Sequence, residues 1–261
     1  MKLAARTSLA CWPGLTHIEA IERAMAGPQE PLVGTLLVDH VQVVPQCQGV
    51  FDIPTAEAVA ATWPATAFRL HANARVRSDR VFADLCTFDR NRTWFTAAAQ
   101  VSQALCAPAY SAHAGRRCEA SLSNLFDNAR RCADLFNCPV AIEGQYPVGG
   151  ADTHRYLLST WEEYAALLAS GLPMAVDLSH LNILAHRSGR FEVSLTAELL
   201  ASPACLEVHV SDNDGSGDHH QVLRHEPWWW ALTAHIHPNA VVFSEGNHRR
   251  IRPERRAYEP T

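Results

Sequence analysis

The sequence is almost without lysine: Lys2 is the only one, and arginine carries nearly all the positive charge. With 22 basic residues against 27 acidic ones and a net charge of -5, it lacks the general basic footprint of a nucleic-acid binder. It also lacks long apolar runs. Arg6 interrupts the N-terminal "MKLAARTSLACWPG" too early for a secretion signal, and no later stretch reaches membrane-spanning length. These absences predict a soluble, cytoplasmic protein with no membrane partner. There is no C-x-x-C pair. The eight cysteines (Cys11, Cys47, Cys86, Cys106, Cys118, Cys132, Cys138 and Cys205) stand singly, which argues against a disulfide scaffold and predicts buried free thiols. A glycine-rich phosphate loop is missing from "LACWPGLTH" near the first strand, which counts against an open doubly wound sheet.

Present instead is a regular alternation. Eight apolar, β-rich runs at 2–9, 34–44, 67–72, 107–115, 139–144, 173–181, 205–212 and 240–247 are separated by helix-like segments, the pattern of parallel βαβ units. "SLSNLFDNARRCADLF" repeats apolar residues at three- and four-residue steps behind a capping Ser121. "STWEEYAALLASG" opens on Ser159 or Thr160, places Glu162 and Glu163 in its first turn and stops at Gly171. Eight such units in 261 residues predict an α/β fold, a (β/α)8 TIM barrel forming one domain over 1–261. The basic tail 248–261, "HRRIRPERRAYEPT", is too polar and proline-broken for a regular eighth helix, so the barrel is expected to be either incompletely jacketed on that side or covered by an oligomer or partner subunit. The same tail is a candidate anion-binding segment or a solvated terminus. "PWWWAL" (227–232) reads as helix seven packing on the barrel, with one or two tryptophans at the mouth or an interface as the alternative.

Fourteen histidines are many for this length, and histidine is the commonest side-chain metal ligand. His71, His113, Glu143, Asp177, His209 and Glu245 fall near the C-terminal ends of successive predicted strands, separated by 42, 30, 34, 32 and 36 residues. A barrel brings groups at that pitch to one end around a common centre. Two local pairs add to them: Asp177 with His180 where a strand is expected to give way to a loop, and Asp218 with His220 after the seventh strand. Oxygen and imidazole donors suit zinc, manganese or iron. The segment "EVHVSDNDGSGDHH" imitates a calcium loop from Asp212 through Gly217, but Leu223 stands where that loop needs a bidentate glutamate and a strand leads in. Asp212, Asn213 and Asp214 are therefore expected to build a turn, with Gly215 and Gly217 loosening it and His219 pointing elsewhere.

At these residues the sequence resembles the xylose isomerase-like TIM-barrel superfamily, which includes sugar isomerases and epimerases, endonuclease IV and multinuclear iron oxidases that act on peptides. Glu143, Asp177, His209 and Glu245 resemble the core that surrounds one divalent metal in the epimerases. There the two glutamates, Glu143 and Glu245 here, would be catalytic and move a substrate proton. His71, His113, His180, Asp218 and His220 resemble the further ligands of endonuclease IV. That likeness implies two or three ions per chain: one on His71, His113 and Glu143, a second on Glu143, Asp177, His209 and Glu245, a third on His180, Asp218 and His220. It implies hydrolysis of a phosphate ester or related small molecule by metal-activated water. The DNA-binding loops of endonuclease IV are not matched in "RTSLACWPG", "SAHAGRR" or "QVLRHEPWWW", so DNA is not implied as a partner. A single-metal sugar or hydroxy-ketone isomerase, or an iron oxidase with a peptide substrate, remain alternative expectations.

Overall fold

The computed structural model describes residues 3–148 and 154–250, with Arg250 described by its backbone alone. In chain order its strands are β1 (Ala5–Ser8), β2 (Gln29–Glu30), β3 (Gly34–Thr35), β4 (Leu37–Val43), β5 (Ala67–Leu70), β6 (Tyr110–His113), β7 (Val140–Glu143), β8 (Met174–Asp177), β9 (Cys205–Val210) and β10 (Val241–Ser244). All eight expected strands are there, together with an antiparallel hairpin, β2–β3, that the sequence reading did not contain. The eight pair in parallel in the order β5-β4-β1-β10-β9-β8-β7-β6. The outer strands β5 and β6 approach one another without a ladder, so the barrel is nearly closed. His71 Nδ1, just past β5, spans that seam to Ser111 Oγ on β6 at 2.9 Å.

Among the described residues seven α-helices jacket the sheet: α1 (His17–Met25), α2 (Ile53–Thr62), α3 (Arg92–Ala104), α4 (Leu122–Phe136), α5 (Trp161–Ser170), α6 (Leu178–Ser188) and α7 (Val193–Ala201). The expected start and stop signals operate. Ser121 Oγ accepts from Asn124 N at the start of α4, and Thr160, not Ser159, caps α5, which ends on Gly171 at φ 65°. The apolar stripe of α4 buries Leu125, Ala129, Cys132 and Phe136, and Phe136 stacks on Tyr110 of β6 at 4.3 Å between ring centroids. Burying such side chains is the main gain that holds helix to sheet, roughly 1.5–3 kcal/mol for each large one.

Three expectations change. The run 173–181 is not all strand: β8 ends at Asp177 and α6 begins at once, because the Asp177 carboxylate accepts the His180 N–H and caps the helix. His180 therefore sits on a helix, not a loop. "PWWWAL" does not form an α-helix. Pro227 leads into a 3-10 turn, Trp230–His235, that packs against α7 with Trp229 and Trp230 buried, and none of the three tryptophans lines the barrel mouth. All eight cysteines are free, but Cys106 and Cys118 are exposed and Cys138 is half-buried. After β10 the described residues hold one 3-10 turn, His248–Arg250, while 251–261 of the basic tail lie outside them. Among the described residues no helix is long and apolar enough to cross a membrane.

Candidate metal centre

Six of the candidates, His71, His113, Glu143, Asp177, His209 and Glu245, stand at or beside the C-terminal end of a parallel strand, so backbone direction points them to one side; His180 follows on α6, and Asp218 and His220 come from the loop after β9. Glu143 is the centre of the group. It closes β7, its side chain is almost fully buried, and its two carboxylate oxygens face four imidazoles. Oε2 lies 3.3 Å from His71 Nε2 and 3.5 Å from His209 Nδ1, while Oε1 lies 3.6 Å from His113 Nε2 and 3.4 Å from His180 Nδ1. Beyond His180, its Nε2 lies 3.5 Å from Asp177 and 3.6 Å from Asp218. His220 links Asp218, 2.9 Å from its Nε2, to Glu245, 3.6 Å from its Nδ1. Glu245 in turn is 4.0 Å from His209. All nine predicted residues thus meet in one chain of contacts.

The rings are aimed by their outer nitrogens. His71 Nδ1 is held by Ser111, His180 Nδ1 donates to the Gly144 carbonyl at 2.9 Å, and His209 Nε2 lies 3.1 Å from Glu207 Oε2. His113 Nδ1 is 3.7 Å from Asp84, itself held by Asn73. A ring nitrogen hydrogen-bonded on its far side leaves the near one as a lone-pair donor, the arrangement common to metal-binding histidines. Three buried atoms in the group, Glu143 Oε2, His209 Nδ1 and His220 Nδ1, have no hydrogen-bond partner. Buried polar atoms are rarely left so. Together with a donor set of imidazoles and carboxylates, they fit divalent cations. Within this cluster, donor atoms within 4.8 Å of one another form three such groups among the described residues: His71, His113 and Glu143; His71, His209 and Glu245; Glu143, Asp177 and His180. The first matches the expected ligand set, whereas the other two divide His71 and His180 differently from the expected sharing.

The electrostatics of the ion-free site point the same way. Burial raises Glu143 to about 6, against the pull of the neighbouring imidazoles. Burial works to lower His209 and His220, yet carboxylates overcome it: Glu245 and Glu143 hold His209 at about 10, and Asp218 and Glu245 hold His220 at about 9. His180 is raised well above its usual value by Asp177 and Asp218 despite its burial. His71, in the middle of other imidazoles, is instead lowered, first by burial. The cluster is a negative field that protons occupy when cations do not.

The loop 211–220 delivers the last two residues. Asp214 Oδ1 and Asn213 Oδ1 accept from Ser216 N and Gly215 N, building the expected turn. Gly215 does not loosen it. At φ 80° a Cβ there would stand 2.4 Å from the His186 ring, so the glycine permits close packing on α6. His219 turns away to Ser216 at 3.1 Å, as expected. His220 adopts φ 46°, a left-handed conformation that costs a non-glycine residue energy and that clusters at functional sites.

A second polar layer under the site was missed in the sequence. Glu207 is fully buried, 2.8 Å from Arg69 and 3.0 Å from Gln42 Nε2. The signal was available: Arg69 precedes His71, and Glu207 precedes His209, by two residues, and alternate residues of a strand share a face. Ser111, two residues before His113 on β6, carries the same signal, whereas Asp84 has none. The centre opens into a cavity of about 470 Å³ whose wall includes Arg75, Arg80, Phe82, Trp94, Tyr146 and Tyr156.

With this geometry in hand, comparison with solved structures places the fold. The chain is similar to a D-tagatose 3-epimerase-like protein (TM-score 0.65, 14% identity, 94% of this chain and 91% of that one). It is similar also to 3-keto-D-glucoside 4-epimerase YcjR from E. coli (TM-score 0.60, 15% identity, 97% and 94%) and to an AP endonuclease, family 2, from Brucella melitensis (TM-score 0.58, 13% identity, 94% and 93%). What the chain shares with these proteins is the fold, a (β/α)8 TIM barrel. No family model and no curated protein matches the chain.

Proposed function

We propose that this chain is a multinuclear metal-dependent enzyme that hydrolyses a small phosphate ester. The observation that carries the reading is the Glu143 carboxylate, 3.3–3.6 Å from four imidazoles, within a ring of nine donor residues. One zinc takes about four ligands. Nine residues in continuous contact are more than a single ion uses, and Glu143 is placed to be shared between two.

Bound divalent ions supply Lewis acidity and a water acidified enough to attack at neutral pH. The chain's own residues then have separate tasks. Glu143, Asp177, Asp218 and Glu245 hold positive charge in the floor, and the histidines set its position. Arg75 and Arg80 on the cavity wall are placed to pair with phosphate oxygens, which guanidinium groups bind in a two-pronged fashion. A recess of this size suits a small molecule better than a duplex.

Sugar epimerisation is the second reading, favoured by the two buried glutamates, Glu143 and Glu245, and by several of the similar structures, which are named as sugar 3-epimerases. In that reading the two carboxylates move a substrate proton, and burial, which raises both, suits them to the task.

One experiment separates the two. Protein loaded with zinc or manganese is incubated in H₂¹⁸O with a panel of phosphate esters, and in D₂O with a panel of ketoses. The hydrolase reading expects ¹⁸O in released phosphate. Deuterium in recovered sugar, with no phosphate released, overturns it.

A further inference from the structure

A second donor cluster, with none of the nine residues of the main group, gathers around Ser244 at the end of β10. Cys11, in the 3-10 turn Leu9–Cys11 that follows β1, is fully buried and directs Sγ toward the Ser244 carbonyl at 3.3 Å. Glu30 reaches in from the β2–β3 hairpin, its side chain wholly buried. Its Oε1 accepts from Ser244 Oγ at 2.5 Å and from His248 Nε2 at 2.8 Å, while its Oε2 is buried and has no hydrogen-bond partner. His248 lies against Trp12, with ring centroids 5.3 Å apart, and the next residue, Arg249, donates to the Pro13 carbonyl.

We infer that Cys11, Glu30 and His248 form a separate site for one zinc-like ion, which ties the end of β10 to the turn after β1. The three donor atoms lie within 4.8 Å of one another, against roughly 3.3–3.8 Å between the ligands of a tetrahedral zinc bonded at 2.0–2.3 Å, so about an ångström of closure completes the set. A hydrogen-bonded carboxylate alone accounts for Oε1. It leaves Oε2 buried and unsatisfied, and that is the atom an ion would take. The thiol enters as thiolate and releases its proton, and the His248–Glu30 hydrogen bond gives way to two metal bonds. A thiolate donor favours zinc or cobalt over magnesium or manganese. The fourth position falls to water or a main-chain oxygen. The site requires no reading of the reaction at the barrel mouth.

The main group contains no sulfur, so a thiolate-to-cobalt charge-transfer band in the near ultraviolet reports this site alone. The experiment titrates Co²⁺ into metal-stripped full-length protein carrying Cys106→Ser and Cys118→Ser, which removes the exposed thiols. The expected result is a band that saturates at one equivalent, is lost in Cys11→Ser, weakens at least tenfold in apparent affinity in His248→Ala and persists in His71→Ala. Circular dichroism checks that each variant is folded. If Cys11→Ser fails to fold, His248→Ala at the rim decides. No band in the starting protein, a band that survives Cys11→Ser or His248→Ala unchanged, or a band lost with His71→Ala overturns the inference.

Discussion

The Glu207 carboxylate lies 3.1 Å from His209 Nε2, while the other nitrogen of the same ring faces Glu143 at 3.5 Å. Glu207 is itself clamped by Arg69 at 2.8 Å, and that pairing holds it well below the usual carboxylate range despite its burial. The negative charge orients the ring and makes its free nitrogen a better donor. Glu207→Gln should keep the fold and lower metal affinity roughly 10–100-fold, as loss of such an outer partner does elsewhere. Competition against a chromophoric chelator measures it, and unchanged affinity would sink this role.

Arg69 is a different case because its loss strands a buried charge. Arg69→Met leaves Glu207 without its guanidinium partner and should cost about 3–5 kcal/mol. Chemical denaturation reads this directly; the double variant Arg69→Met/Glu207→Gln should recover much of the loss. Additive losses would mean that the two side chains act independently.

Much of this architecture is legible in the sequence, for a physical reason. Parallel strands buried on both faces are short apolar runs, and their C-terminal ends are where polar residues interrupt them, so strand ends and site residues announce each other. Asp177 shows the limit: as strand end and helix cap at once, it hides the border between β8 and α6. Arg69 and Glu207 each share a strand face with a site histidine, but their partnership spans 138 residues and exists only once the barrel closes. The tryptophans of "PWWWAL" misled because bulk and burial do not require a full helical turn.

Gly144 follows Glu143 and supplies the carbonyl that holds His180. A Cβ there would stand 2.3 Å from the Tyr164 hydroxyl, which donates to the Gln145 carbonyl at 3.0 Å. Gly144→Ala should therefore destabilise by about 1–3 kcal/mol through overpacking and weaken metal binding by turning His180. A wild-type melting curve and wild-type metal affinity together would contradict the packing argument.

Metal uptake should depend on pH with a definite sign. His209 and His220, held at about 10 and about 9, carry protons at neutral pH in the ion-free protein, so a cation must displace them. Affinity should rise as pH increases through this range, and calorimetry in buffers of differing ionisation enthalpy should detect released protons. The same raised values stabilise the ion-free fold. That contribution is fully present below the ordinary histidine value of 6.5 and is lost as pH climbs through 9 to 10, so the ion-free protein should melt lower at pH 10 than at 6.5. Metal binding without proton release would contradict the assignment.

The most direct test of the central claim is the number of ions around Glu143. Anomalous scattering from crystals of the loaded protein, with elemental analysis of the same preparation, should place two or three ions there, and His220→Ala should lose at least one of them along with activity. One ion at Glu143, with His220→Ala fully active, would contradict a multinuclear centre.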